Sequence, residues 1–315
     1  MPQAMAIAGM VSMLSDLAPL LRDALLPHRN SDGGWGYYAG KASRLESTCW
    51  ALLSLAQDRH PEDAPLVEAG MRLLAEWQRA DGLIAEPQLP PNLAFNGLAS
   101  VVFTAIRSSP FAQTSHEDVQ RRLLAGIVGV KSKTLWNWNS PVRQDSSLVG
   151  WPWTEEAFAW VEPTAWCTIA LKKAAPGSRA PGSQPRIEAA ERLLFDRRCP
   201  GEGWNYGNSE VLGQQLHAFI PPTALALLAL HDRRERSEVR QALDYLRGSW
   251  RHEPAGMALG LSLLCLRAFG LPVDEIEAAL AAAWQRSGFL GNHAVVGMVR
   301  YALIAGTHGP TVLTV

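Results

Sequence analysis

Six times along the chain, a segment with one charged face is followed by a segment that is apolar almost all round. A helix with a single apolar stripe needs cover on that stripe alone, whereas one without a polar face must be buried on every side. Three of the dry segments superimpose without a gap: ESTCWALLSL (46–55), EPTAWCTIAL (162–171) and PPTALALLAL (221–230). Each has a threonine at its third position, Thr48, Thr164 and Thr223. MALGLSLLCL (257–266) is a looser copy, and 92–106 and 291–304 share the character without the motif. The half-wet partners are 16–26, 63–78, 116–130, 186–195, 237–250 and 273–285, with Leu, Val or Ala at helical spacing. Strand-like alternation is nearly absent. Such hairpins can close into a ring, dry helices inside and amphipathic ones around them. The expected fold is therefore an all-α (α/α)6 toroid forming one domain over 1–315. An open stack of the same hairpins is the alternative.

In a closed ring every connection from an outer to an inner helix lies at one end. Those connections are 28–44, 79–92, 131–160, 198–219, 250–256 and 286–293, and most are longer than the links at the other end. They hold DGGWGYY (32–38) and its near-echo GEGWNY (201–206), and the Trp-rich loop with Trp136, Trp138, Trp151, Trp153 and Trp160. Trp50 and Trp166 lie one turn inside the inner helices. An aromatic-rich end on an apolar barrel reads as a ligand mouth. Its candidate wall is Trp35, Tyr37, Trp50, Phe95, Trp151, Trp153, Trp160, Trp166, Trp204 and Tyr206. For Trp35 and Trp204 a second reading stands beside this one: Gly33, Gly34 and Gly203 shape a turn, and the following indole plugs the helix junction.

Composition narrows the partners. A net charge of −1 supplies no field for nucleic acid. The cysteines Cys49, Cys167, Cys199 and Cys265 are far apart and mostly within apolar runs, which suits a reducing compartment. The N-terminal stretch has no positive charge before Arg22 and no clear cleavage site, and no run of about twenty apolar residues exists. A cytoplasmic location without a transmembrane segment is expected; a protein partner is left open.

The unit GGW-G-Y…EST-CWALLSL and its echoes resemble the repeat of the terpenoid cyclase and protein prenyltransferase β-subunit superfamily. That resemblance implies an α/α toroid with Gly-Trp turns and a deep aromatic-lined cavity. The superfamily's chemistries do not transfer by residue. No DxDD acid motif and no DDxxD magnesium motif occurs, and the thioester motif GCGEQ is missing. The zinc triad's nearest counterpart, Asp196, Cys199 and His217, has the wrong spacing, so no metal or cofactor is expected.

Chemistry then falls to carboxylates at the mouth. Glu46 and Glu162 occupy matching repeat positions, with Asp145, Glu155 and Glu156 in the Trp-rich loop and His217 before an inner helix. Glu162 shares a helical face with Trp166, and Glu46 with Trp50. A carboxyl against indole surface has its charged form desolvated and is suited to donating a proton. A nearby cation would be stabilised by the indole faces. Against this, Pro163 as first helical residue would make Glu162 an N-cap, where the helix dipole favours the carboxylate. The expected function is terpenoid-cyclase-like acid–base or carbocation chemistry on an apolar, isoprenoid-type small molecule. Two alternatives remain: a non-catalytic toroid holding a lipid or protein on its Trp face, and a carbohydrate-active α/α barrel.

Overall fold

The computed structural model describes residues 17–134, 144–306 and 311–315. The apolar start of the chain, together with Trp136 and Trp138, lies outside the described residues. The helices are α1 (17–25), α2 (Leu45–Asp58), α3 (Ala64–Glu76), α4 (Leu93–Arg107), α5 (Ser115–Gly129) and α6 (Val161–Lys173). They continue with α7 (Ser183–Asp196), α8 (Ile220–Ala229), α9 (Ser237–Ser249), α10 (Gly256–Ala268), α11 (Asp274–Ser287) and α12 (His293–Ile304). The strands of the described residues, β1 (Glu210–Val211) and β2 (Gln214–Gln215), form a small hairpin between α7 and α8.

The even-numbered helices pack in the order α2, α4, α6, α8, α10, α12, and α12 returns to α2, so the ring is closed. Each is the dry member of its pair: every residue of α8 is buried, as is every residue of α2 from Ser47 to Ala56. The odd helices stand outside and bury one stripe, Val239, Ala242 and Leu246 in α9 for example. Close approach of two inner helix pairs depends on missing side chains. A Cβ on Gly97 would stand 2.7 Å from the backbone carbon of Trp166, and one on Gly297 3.1 Å from the backbone of Trp50.

The seam between first and last hairpins is tied by charge. Arg300 of α12 pairs with Asp58 of α2 and donates Nη1–H to the Ser54 carbonyl and Nε–H to the Ala18 carbonyl, both at 3.2 Å. Arg22 of α1 also reaches Asp58, at 3.2 Å, and grips Asp63 with both Nη groups at 2.5 and 2.7 Å. Among the described residues, no helix is long and apolar enough to cross a membrane.

The helix starts differ from the sequence reading in one respect. α6 begins at Val161 with Trp160 as its N-cap, so Glu162 is the second helical residue and not the cap. Likewise α8 begins at Ile220, ahead of both Pro221 and Pro222. Proline is tolerated throughout a first turn because those N–H groups have no intrahelical acceptor.

Candidate functional site

The turns that enter the inner helices use one device. The backbone N–H of Trp35 donates to Thr48 Oγ1 at 3.0 Å, that of Trp151 to Thr164 Oγ1 at 3.0 Å, and that of Trp204 to Thr223 Oγ1 at 2.9 Å. Each hydroxyl faces back toward the carbonyl of the same tryptophan. Each indole Nε1–H donates to a carbonyl near the end of the preceding outer helix: Leu25 at 3.0 Å, Ile127 at 2.7 Å and Leu194 at 2.6 Å. Where the turn carries Ile84 there is no indole, and Asn96 takes the threonine's place. Its amide accepts from the Ile84 N–H at 2.7 Å and donates to the Ile84 carbonyl at 2.8 Å. One threonine cannot satisfy both groups as well as an amide, which carries a separate donor and acceptor.

Two residues past each anchor, the turn caps a neighbouring inner helix. The Tyr37 carbonyl accepts the His293 N–H of α12, that of Trp153 the Leu93 N–H of α4, and that of Tyr206 the Val161 N–H of α6. At the equivalent place Glu86 uses its side chain, accepting the Leu45 N–H of α2 at 2.7 Å. These caps gather the long connections and the inner N-termini at one end of the ring.

Inside that end is a cleft lined by Glu46, Trp50, Phe95, Leu98, Glu162, Trp166, Leu225, Met257, Leu261 and Met298. The positions follow a rule. Trp50, Leu98, Trp166, Leu225, Leu261 and Met298 are each the sixth residue of their inner helix, and Glu46, Glu162 and Met257 the second. Residues four apart share a face, so two tiers line the axis one helical turn apart. The lower tier fills it. Trp50 and Trp166 meet edge to face at 5.7 Å, and Trp50 lies 6.2 Å from Tyr301. Space open to a water-sized sphere is only about 20 Å³, room for one water. Among the described residues, the large sixth-position side chains leave this cleft shallow.

Glu46 and Glu162 are half-buried in the upper tier. Among the described residues Glu162 has no hydrogen-bond or ion-pair partner, and burial, with repulsion from Glu46, pushes its pKa up to about 8. Glu46 accepts the Tyr37 hydroxyl at 2.7 Å. Burial raises its pKa too, and the Tyr37 hydrogen bond partly offsets the rise. Arg44, whose guanidinium carbon lies 5.5 Å from the Tyr37 ring centre, is held by Glu86 at 2.9 Å.

The expected site residues therefore divide. Glu46, Glu162, Trp50, Trp166 and Phe95 come together in the cleft, with Tyr37 on its rim through Glu46. Trp35, Trp151 and Trp204 are fully buried in their turns and do not line it. Trp153 packs half-buried against the core, and the Tyr206 ring lies tilted against that of Phe219, centre to centre 5.9 Å. Trp160 lines a different groove. Glu156 is exposed beside Lys133, Asp145 accepts from Ser147 at the surface, and exposed His217 lies 3.1 Å from Glu202. Asp196 pairs with Arg197 and not with a metal-ligand set; no cluster of three or more such ligands occurs among the described residues. Leu225 and Leu261 stand at the repeat position of Trp50, and Met257 at that of Glu46, so their register was already in the sequence. Leu98 and Met298 had no motif to mark them, and their register is visible only once each helix start is known.

Comparison with known proteins agrees with this architecture. No family model matches the chain. Human lanosterol synthase is 33% identical over 96 residues, and the mouse enzyme 34% over 94; each match takes in 27% of this chain. The chain spans only 13% and 12% of the length of these enzymes. A variant of the type II terpene cyclase MstE from Scytonema, in complex with geranylgeranyl dihydroxybenzoate, superimposes with a TM-score of 0.56 at 14% identity, covering 94% of this chain and 98% of that one. A mutant reducing-end-xylose releasing exo-oligoxylanase gives 0.59 at 10% identity over 93% and 92% of the two chains. The β-1,3-1,4-glucanase from Paenibacillus sp. X4 gives 0.58 at 7% over 94% and 91%. The terpenoid-cyclase-like toroid read from the repeats is thus the fold of this chain. The same fold serves sugar hydrolases, so it does not choose a reaction.

Proposed function

We propose that the chain is a terpenoid-cyclase-like enzyme acting by acid–base chemistry on an apolar, isoprenoid-type substrate at the mouth of the barrel. One observation carries the reading: Glu162, without a partner among the described residues and with its pKa pushed up to about 8, lines an apolar ring that includes two indoles. Near neutral pH such a group holds its proton and can give it to an alkene carbon. The new C–H bond takes the alkene π electrons, and the positive charge left on the neighbouring carbon lies against the faces of Trp50, Trp166 and Phe95. Glu46, whose burial-raised pKa the Tyr37 hydroxyl partly offsets, is placed to take a proton back when the final alkene forms. Terpene cyclase relatives and partial identity to lanosterol synthase support this substrate class. A substrate longer than the rim requires the Trp50–Trp166 pair to part.

The filled axis favours a second reading, a toroid that binds a partner at its rim without catalysis. Incubation with polyprenyl diphosphates and squalene-like polyenes, followed by product analysis, separates the two. Wild type should form a cyclised or isomerised product, and Glu162→Gln should lose it without any fall in melting temperature. Absence of product from every polyene, with no small molecule co-purifying, would establish the second reading.

A further inference from the structure

The mouth of the cleft carries more acid than it can hold ionised. Glu46 and Glu162 both line it, and Glu86 stands beside Glu46. Among the described residues the cation acting on this group is Arg44, which Glu86 already holds at 2.9 Å. The other titratable groups around the pair are Tyr37, which donates to Glu46, buried Cys49 near Glu46, and Tyr206 beside Glu162. Carboxyls crowded together without a free cation keep a proton in its place. A cationic ligand can displace that proton.

Size and surroundings select which cation. The space between the side chains holds one water-sized group. A primary ammonium is of that size and brings three donors for carboxyl oxygens, whereas a trimethylated head is too large and has none. Both glutamates are half-buried and line the space, so a ligand can reach them. Trp50, Trp166 and Phe95 complete the wall, and aromatic rings attract a positive charge. Beside Glu162 stand Tyr206 and its neighbour Phe219, 39% and 50% exposed, and Met257 at the lip is 36% exposed. They offer apolar surface on which a hydrocarbon chain can lie.

We propose that the cleft binds the primary ammonium of an apolar amine, its N–H groups on Glu46 and Glu162, its charge beside Trp50 and Trp166, and its chain along Met257, Tyr206 and Phe219. Amine binding rests on the same cleft as the cyclase reading but on no turnover. Binding without any polyene product leaves it standing and overturns that reading, and product without amine binding does the reverse. Calorimetric titration of the full chain with hexylamine, hexanol and hexyltrimethylammonium tests it. Hexylamine should bind roughly tenfold more tightly than hexanol, the gain expected of hydrogen bonds to a charged group, and more tightly than the trimethylated head. Near pH 7 each amine bound should release about one proton, read from binding heats in buffers of different ionisation enthalpy. Affinity should rise with pH and level off above about 8, where Glu162 gives up its proton unaided. Glu162→Gln should weaken hexylamine roughly tenfold, abolish the proton release and leave hexanol unchanged. Phe219→Ala should weaken octylamine severalfold and propylamine hardly at all. The proposal fails if hexylamine binds no better than hexanol or the trimethylated head, if Glu162→Gln binds it as wild type does, or if Phe219→Ala costs both chain lengths alike.

Discussion

Glu162 is partly desolvated and has no partner among the described residues, and that is the most consequential fact at the residue scale. Its charged form is penalised in the fold but not in the unfolded chain. Between its ordinary value of 4.5 and about 8 the unfolded state therefore binds fewer protons than the folded state. Stability contributed by this group is complete below pH 4.5 and is lost as pH rises toward about 8. Glu162→Gln removes the dependence. Denaturant titrations should show wild type losing on the order of 3 kcal/mol relative to the variant across that window. Equal pH profiles for the two proteins would mean that Glu162 is solvated. The pairing of Glu162 with Trp166 and of Glu46 with Trp50 was legible in sequence, since each pair is four residues apart. The absence of a partner for Glu162 among the described residues was not, because a partner could have come from any of five other inner helices.

At the scale of elements, the fold depends on turns that anchor a tryptophan to both an outer and an inner helix. The threonine at the third position of three apolar segments was visible in sequence as a repeat. Its hydrogen bonds to Trp35, Trp151 and Trp204 explain why it repeats. Asn96 broke the pattern and was invisible as a member of it. Asn96→Ala should cost about 2–3 kcal/mol in urea unfolding, because the Ile84 N–H and carbonyl both lose a buried partner. The glycines between inner helices make a graded prediction. Gly97→Ala places a methyl against the backbone of α6 and should cost about 1–3 kcal/mol despite the better helix former. The looser Gly297→Ala should change stability by no more than about 1 kcal/mol. Equal costs would show that α4 and α6 can separate freely.

The whole molecule is a ring, and a ring needs a clasp. Asp58 of α2 serves both Arg300 of α12 and Arg22 of α1, and the Arg300 side chain is only 3% exposed. Asp58→Asn leaves a buried guanidinium short of its counter-charge. It should destabilise the chain by about 3 kcal/mol. Hydrogen exchange should then rise first in α1 and α12, at the seam. A uniform rise around the ring would mean that closure is not the weakest joint. Nothing in the sequence joined residue 58 to residue 300, since the pair exists only after six hairpins have closed.

Period and dryness, both local properties, were enough to determine from sequence that inner and outer helices alternate, that they number six of each, and that the long connections share an end. The helix start was off by two residues at α6, because proline is at home anywhere in a first turn. Only tertiary structure decided that the Gly-Trp indoles are bolts between helices and not walls of the cleft. It also decided that the axis is filled by the sixth-position side chains. Burial depends on which side chains meet across the ring, and that is a property of how the six helices stand together.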